Sequence, residues 1–325
     1  MTERSLYYQL DRAVEAMLGG AGAELPPVPA RLAPLLRIAG DLRDLPRPSF
    51  KTRLQAELER KAAMTTTDVQ AHTERRFQTV TPYLTALDAA GLVDFVKQAY
   101  GAEELLRATV SAERMHFEVR IGDSILMIGG GGTWGGPAMP AALHLYVPDA
   151  DAVYRRALQA GAASLKEPGD MEYGDREGDV RDPFGNKWYI ATHLGDSHIP
   201  EDMRVVTPVL HPRGAPQLIQ YLQQAFGAEQ VERHESPPGT VVHAKIRIGD
   251  SMVELGEAHG PVQPMPTWFY LRVPDVDAVY RRATEAGGTP LSEPQDQFYG
   301  DRTGTVQDPF GNNWYIATPV KGKPA

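Results

Sequence analysis

Between Val242 and Glu254 the chain sets imidazole, ammonium, guanidinium and carboxylate groups at alternate positions. That is the spacing at which a β-strand turns side chains to one face. Ala244, Ile246 and Ile248 take the opposite, apolar face, which leaves His243, Lys245 and Arg247 together. After the Gly249-Asp250 turn, Met252 and Glu254 fall on the same side. An earlier run repeats the plan with His116, Glu118 and Arg120, followed by Ile125 and Met127. A carboxylate beside an imidazole can hold a divalent metal or move a proton. Glu254 with His243 is such a pair, and Glu257 and His259 follow closely enough to join it. Plainer readings stand beside these. Glu254 across a hairpin from Lys245 forms a cross-strand ion pair. Glu257 and His259 then belong to a solvated loop. The matched positions of His116 and His243 fit either a shared ligand contact or inherited packing.

Two further short runs bring aromatic and basic groups to one strand face. His144 and Tyr146 alternate in the first, and Trp268, Tyr270 and Arg272 in the second. Tyr189 and Tyr315 stand in a third, recurring strand. Faces of this composition, aromatic and basic-polar, suit a planar or anionic organic ligand. Trp134, inside the glycine-rich loop GGGGTWGG, reads either as a flap over such a ligand or as part of a connector. That loop leads from strand to strand, so it is not a phosphate-binding loop, which should open a helix. No nucleophile, histidine and aspartate stand out as a set, and the absence of cysteine removes thiolate catalysis and zinc–sulfur sites.

The elements that must position these residues come from a duplication. Tyr173 to Thr192 and Tyr299 to Thr318 are identical at sixteen of twenty positions, which lie 126 residues apart. Each copy contains Asp-Pro-Phe-Gly-Asn, a tight turn, followed by the β-prone run Trp-Tyr-Ile-Ala-Thr. Around it, each repeat reads as strand, helix and three strands, performed twice. Helices are expected over residues 90–100, 149–160, 218–226 and 275–286, and the fold class is α+β. Trp188, Ile190, Trp314 and Ile316 should face the helices as core. Upstream, residues 1–64 carry apolar residues at helical spacing over 2–18 and 31–45, with Ser49 as an N-cap for a third helix. This region reads as a docking or dimerisation appendage, and a homodimer through it is one expectation. Residues 65–76 form a linker.

The chain has 325 residues, a net charge of −9 and 42% apolar residues. Length favours two or three domains. Charge weighs against nucleic acid or an anionic membrane as the main partner. Without a long apolar run or a charged-then-apolar leader, the expected location is the cytoplasm.

The two runs VPDADAVYRRALQAGA and VPDVDAVYRRATEAGG, with both DPFGN-WYIAT endings, make residues 77–320 similar to the vicinal oxygen chelate superfamily. Its members include glyoxalases, bleomycin-resistance proteins and extradiol dioxygenases. IGDSILMIGG and IGDSMVELGEAHG resemble its PhnB-like branch. The resemblance implies tandem βαβββ domains at 77–195 and 203–320, paired within the chain, each with a concave sheet. In that family a divalent metal is held on the first and last strands of each unit. The positions implied here are Pro82 and Pro208 (or Tyr83 and Val209), Ala142 and Trp268, Tyr189 and Tyr315, and Met127 and Glu254. Only Glu254 is an ordinary ligand. The leading expectation is therefore a protein that binds a small organic molecule in its clefts without an intact metal site or any cofactor, as resistance-type members do. The ligand-contact candidates are His116, Trp134, His144, Tyr146, Tyr189, His243, Lys245, Arg247, Trp268, Tyr270 and Tyr315. One alternative is a metal-dependent lyase or isomerase with Glu254 as ligand, assisted by His243 or His259. Another is a ligand-sensing regulator whose N-terminal helices contact a partner.

Overall fold

Strand alternation and helix capping together build four copies of one βαβββ unit. The first unit runs β1 (Val80–Ala86), α1 (Ala89–Tyr100), β2 (Glu103–Thr109), β3 (Met115–Ile121) and β4 (Ser124–Gly130). In the second, β5 (Ala142–Tyr146) is followed by α2 (Ala150–Gln159), β6 (Ala163–Asp170), β7 (Asp175–Arg181) and β8 (Lys187–His193). The third comprises β9 (Val206–Leu210), α3 (Ala215–Phe226), β10 (Glu229–Glu235), β11 (Val241–Ile248) and β12 (Ser251–Leu255). β13 (Trp268–Arg272), α4 (Val276–Glu285), β14 (Thr289–Asp296), β15 (Asp301–Gln307) and β16 (Asn313–Pro319) complete the fourth. The computed structural model describes residues 77–110, 114–131, 138–260 and 262–320. The helices expected within 1–64, the linker and Trp134 lie outside the described residues. The described residues fall within one compact unit, and no helix among them is long and apolar enough to cross a membrane.

Each helix starts where a polar side chain closes it. Asp88, Asp149 and Asp275 accept from the backbone N–H three residues on, satisfying donors that the first turn leaves unpaired. α3 begins instead at Gly214, with no cap of its own. Glu257, just past the end of the neighbouring strand β12, fills that role, accepting from the N–H groups of Gly214 and Ala215 at 2.7 Å each.

The sheets join the two repeats. One runs β14-β15-β16-β13-β1-β4-β3-β2, the other β10-β11-β12-β9-β5-β8-β7-β6. Units one and four therefore share a sheet, as do units two and three. The seams are antiparallel, with Val80 opposite Leu271 and Ala142 opposite Val209. Sequence order alone suggested a cleft within each repeat, and this is the main correction to that reading. The cause lies in the core. Units one and two pack their helix-bearing faces together, with Leu84, Phe117 and Ile128 meeting Leu143, Trp188 and Ile190. Units three and four do the same around Leu218, Phe269 and Trp314. Within a lone repeat the outer edges of β1 and β5 would keep unpaired backbone groups. The other repeat's β13 and β9 satisfy them.

The duplicated turn is a structural device. Asp182 accepts from the N–H groups of Phe184 and Asn186, from Asn186 Nδ2 and from Trp188 Nε1, at 2.8–3.0 Å. Asn186 Oδ1 in turn accepts from Ala141 N, tying the turn to the start of β5. Asp308, Asn312 and Trp314 repeat the arrangement in the fourth unit. Gly185 and Gly311 close the corner at φ 94° and 90°, where a β-carbon would be strained.

Candidate functional site

The second sheet carries the candidate site on the face away from the helices. A cavity of about 560 Å³ opens there, within the range of small-molecule pockets. Its floor comes from β5, β9, β12, β7 and β8, so both repeats contribute. His144 points into it from β5, buried between two carboxylates. Its Nδ1 lies 2.9 Å from Glu254 Oε2, a residue of β12 in the other repeat. On the other side its Nε2 faces Glu177 Oε2 of β7 at 3.4 Å, an ion-pair distance without hydrogen-bond alignment. His243 Nε2 meets the second Glu254 oxygen at 3.3 Å.

These contacts set the charge states. Burial favours a neutral His144 ring, but the Glu254 carboxylate, with Glu177, outweighs it and holds the imidazole pKa up to about 10. Burial likewise opposes ionisation of Glu254 and Glu177. His144 overrides it in both, assisted by His243 at Glu254 and by Lys166 at Glu177. Glu254 is held well below the usual carboxylate range and Glu177 down to about 2. His211 behaves oppositely: burial, then the nearby Lys187 ammonium, lower it to about 4. Its Nε2 lies 2.7 Å from the Tyr189 hydroxyl, and the neutral ring can accept that bond.

Aromatic rings form much of the remaining lining. Tyr146 stacks on His144 at 4.3 Å between centroids, and its hydroxyl donates to Asp175 Oδ2 at 3.2 Å. Burial, then the nearby Glu254 charge, keep that phenol protonated. Tyr189 lies under the Lys187 ammonium, 4.0 Å from its ring centre, and Lys187 pairs with Asp179 at 3.0 Å. Tyr173 stands at the mouth, largely exposed.

The residues singled out in the sequence divide between the two sheets. His144, Tyr146, Tyr189, His243, Lys245 and Glu254 all line this cavity. Lys245 is opposite Glu254 in the strand register but pairs with Glu232 of β10 at 3.0 Å, so the cross-strand ion pair expected with Glu254 does not form. Arg247 turns outward to Asp202 and Glu229. Glu257 caps α3, and His259 lies exposed with Nδ1 3.0 Å from Glu257 O, so neither joins Glu254. His116, Trp268, Tyr270 and Tyr315 belong to the first sheet. There Trp268 stacks on Tyr315 at 4.7 Å, Tyr83 meets His116 Nδ1 at 3.3 Å, and Tyr270 bonds Asp301.

Sequence reasoning missed Glu177, Asp175, Tyr173, His211, Glu232 and His234, which make this cavity acidic as well as aromatic. A signal for part of this was present. The twenty-residue duplicated stretch differs at four positions, Glu177, Asp179, Arg181 and Lys187 against Thr303, Thr305, Gln307 and Asn313. Glu177 lines the cavity, while Asp179 and Lys187 form the pair beside Tyr189. The scaffold is shared, and three of the four differences fall at or beside this site.

Comparison with known proteins places this geometry. An uncharacterized protein of Mycobacterium bovis is 35% identical over 131 residues, which span 36% of this chain and 86% of that protein. A Mycobacterium tuberculosis relative, also uncharacterized, matches at 35% over 131 residues and 77% of its length. Among solved structures, glyoxalase I of Zea mays superposes with a TM-score of 0.57 at 13% identity, covering 74% of this chain and 92% of that one. A putative dioxygenase of Bacillus subtilis gives 0.51 at 14% identity, over 76% and 87%. These two likenesses are of fold. The sequence profile of the Glyoxalase/Bleomycin resistance protein/Dioxygenase superfamily matches residues 78–190 and 212–316, more than half of the chain, and the protein belongs to that superfamily.

Proposed function

We propose that the second sheet's cavity binds a small organic molecule, aromatic and cationic, and sequesters it without a metal at the family's central position. The observation that carries this reading is the engagement of Glu254. Its oxygens face His144 and His243, and His144 is itself the counter-ion of Glu177. The other implied ligand positions on this sheet hold Ala142, Val209 and Tyr189, and the Tyr189 hydroxyl is taken by His211. This donor set does not fit a divalent ion at the sheet centre.

Charge selects the ligand class. Asp175, Glu177, Glu232 and Glu254 outnumber the fixed cations His144 and Lys245 around the cavity. Tyr146, Tyr173 and Tyr189 offer ring faces. Together they suit a planar cation, held by stacking and charge, better than the anion suggested by the basic strand face alone. The affinity to the PhnB-like branch belongs to the same reading, resting on the IGDS-type hairpins.

A thermal-shift comparison tests the proposal on chelator-treated full-length protein. 1-Methylquinolinium should raise the melting temperature, 1-naphthoate should not, and Glu177→Gln should reduce the shift. Stabilisation by divalent metals alone, or by the naphthoate in preference, would sink it.

A further inference from the structure

In the wall of this cavity lies a second constellation that the family's metal position does not include. Glu232 and His234 are two residues apart on β10, so both face the cavity side. His243 stands directly opposite His234 in the antiparallel register, and their rings run nearly parallel, 6.2 Å apart at an interplanar angle of 25°. One donor atom from each of the three residues lies within 4.8 Å of the others, and among the described residues this is the one such group of three or more metal-ligating side chains.

We propose that Glu232, His234 and His243 form a divalent transition-metal site at the cavity rim, displaced outward from the sheet centre. Two imidazoles and one carboxylate suit zinc, cobalt or nickel rather than calcium or magnesium, which prefer all-oxygen sets. The geometry is set by backbone pairing: the strand register fixes both histidines, and the two-residue step brings the carboxylate beside them. Glu232 already bonds His234, and the metal replaces that contact. Glu254 stands behind, its Oε1 3.3 Å from His243 Nε2, and so fixes the His243 ring. All three ligands line the cavity, which leaves the remaining coordination positions open to a molecule inside it. One feature opposes the ion. The Lys245 ammonium lies 3.0 Å from the second Glu232 oxygen and lowers the site's affinity for a cation.

The site goes beyond the binding function proposed above and does not depend on it, because metal binding is read without any organic ligand. Full-length protein is stripped with chelator, dialysed and titrated with Co²⁺, following the visible ligand-field absorption, with Zn²⁺ as competitor. One equivalent per chain is expected. His234→Ala and His243→Ala should each weaken binding at least tenfold, on the order of a lost ligand, while the exposed His259→Ala leaves it unchanged. Lys245→Gln should tighten binding severalfold by freeing Glu232. His234 is largely exposed, and circular dichroism verifies that its variant folds. Absence of stoichiometric binding, or binding that survives both histidine substitutions, overturns the proposal. An affinity indifferent to Lys245→Gln removes Glu232 from the ligand set and overturns it as stated.

Discussion

Raising the pH should strip the proton that holds His144 between Glu254 and Glu177, and the fold should weaken as it leaves. The imidazole is held at about 10 in the folded chain against an ordinary 6.5. A folded pKa above the unfolded one stabilises fully below the unfolded value and is lost as pH rises through the folded value. At about 1.4 kcal/mol per unit the difference is worth on the order of 5 kcal/mol at low pH. Roughly 3–4 kcal/mol of it should disappear between pH 6.5 and about 9.5. The carboxylates give the opposite limb. Glu177, held to about 2 against an ordinary 4.5, contributes stability above 4.5 that is lost as pH falls through 2. Glu254 acts in the same direction. Both limbs report one shared interaction, so they do not add. Urea unfolding of wild type and His144→Gln at pH 6.5 and at about pH 9.5 isolates the alkaline limb, because groups remote from His144 and its two carboxylates titrate alike in both proteins. A wild-type profile parallel to the variant's would refute the reasoning, as would a His144 ring that titrates near its ordinary value by NMR.

Two substitutions separate scaffold from site. Asp182→Ala or Asp308→Ala should each cost about 3 kcal/mol by urea unfolding, since each leaves a buried indole N–H and backbone donors without an acceptor. Glu257→Ala should cost about 1 kcal/mol through the lost cap of α3, with cobalt affinity unchanged; a loss of metal binding would restore Glu257 as a ligand.

The fold was readable because its determinants are local. Alternation in Val241–Ile248 puts Ala244, Ile246 and Ile248 in the core, and Asp149 and Asp275 mark two helix starts by the capping chemistry itself. The duplicated turn announced the repeats. The site was readable only in part. Glu254 and His243 could be paired from one hairpin, and they do meet, but His144 and Tyr189 could be named only from their strand faces and not joined to that pair. His144 and Glu254 are 110 residues apart and meet because β5 pairs with β9 across the repeats, a choice made by edge pairing that no local pattern encodes. Assigning clefts by repeat therefore grouped His144 with His116, which lies on the other sheet. The acidic lining was hidden for another reason. Asp175, Glu177 and Asp179 alternate as a strand face should, yet alternation alone does not say whether that face meets solvent or a cavity; the pairing of β7 with β6 and β8 decides it.

Under the proposed function the second sheet's cavity holds its ligand through Glu177, Glu254 and the tyrosines, with no metal at the sheet centre. Isothermal titration of the chelator-treated full-length chain with 1-methylquinolinium tests it most directly. The account predicts saturable binding at one site per chain, weakened by Glu177→Gln and by Tyr189→Ala. Binding that arises only after a divalent metal is restored, and that vanishes with Glu254→Gln while Glu177→Gln leaves it intact, would contradict it.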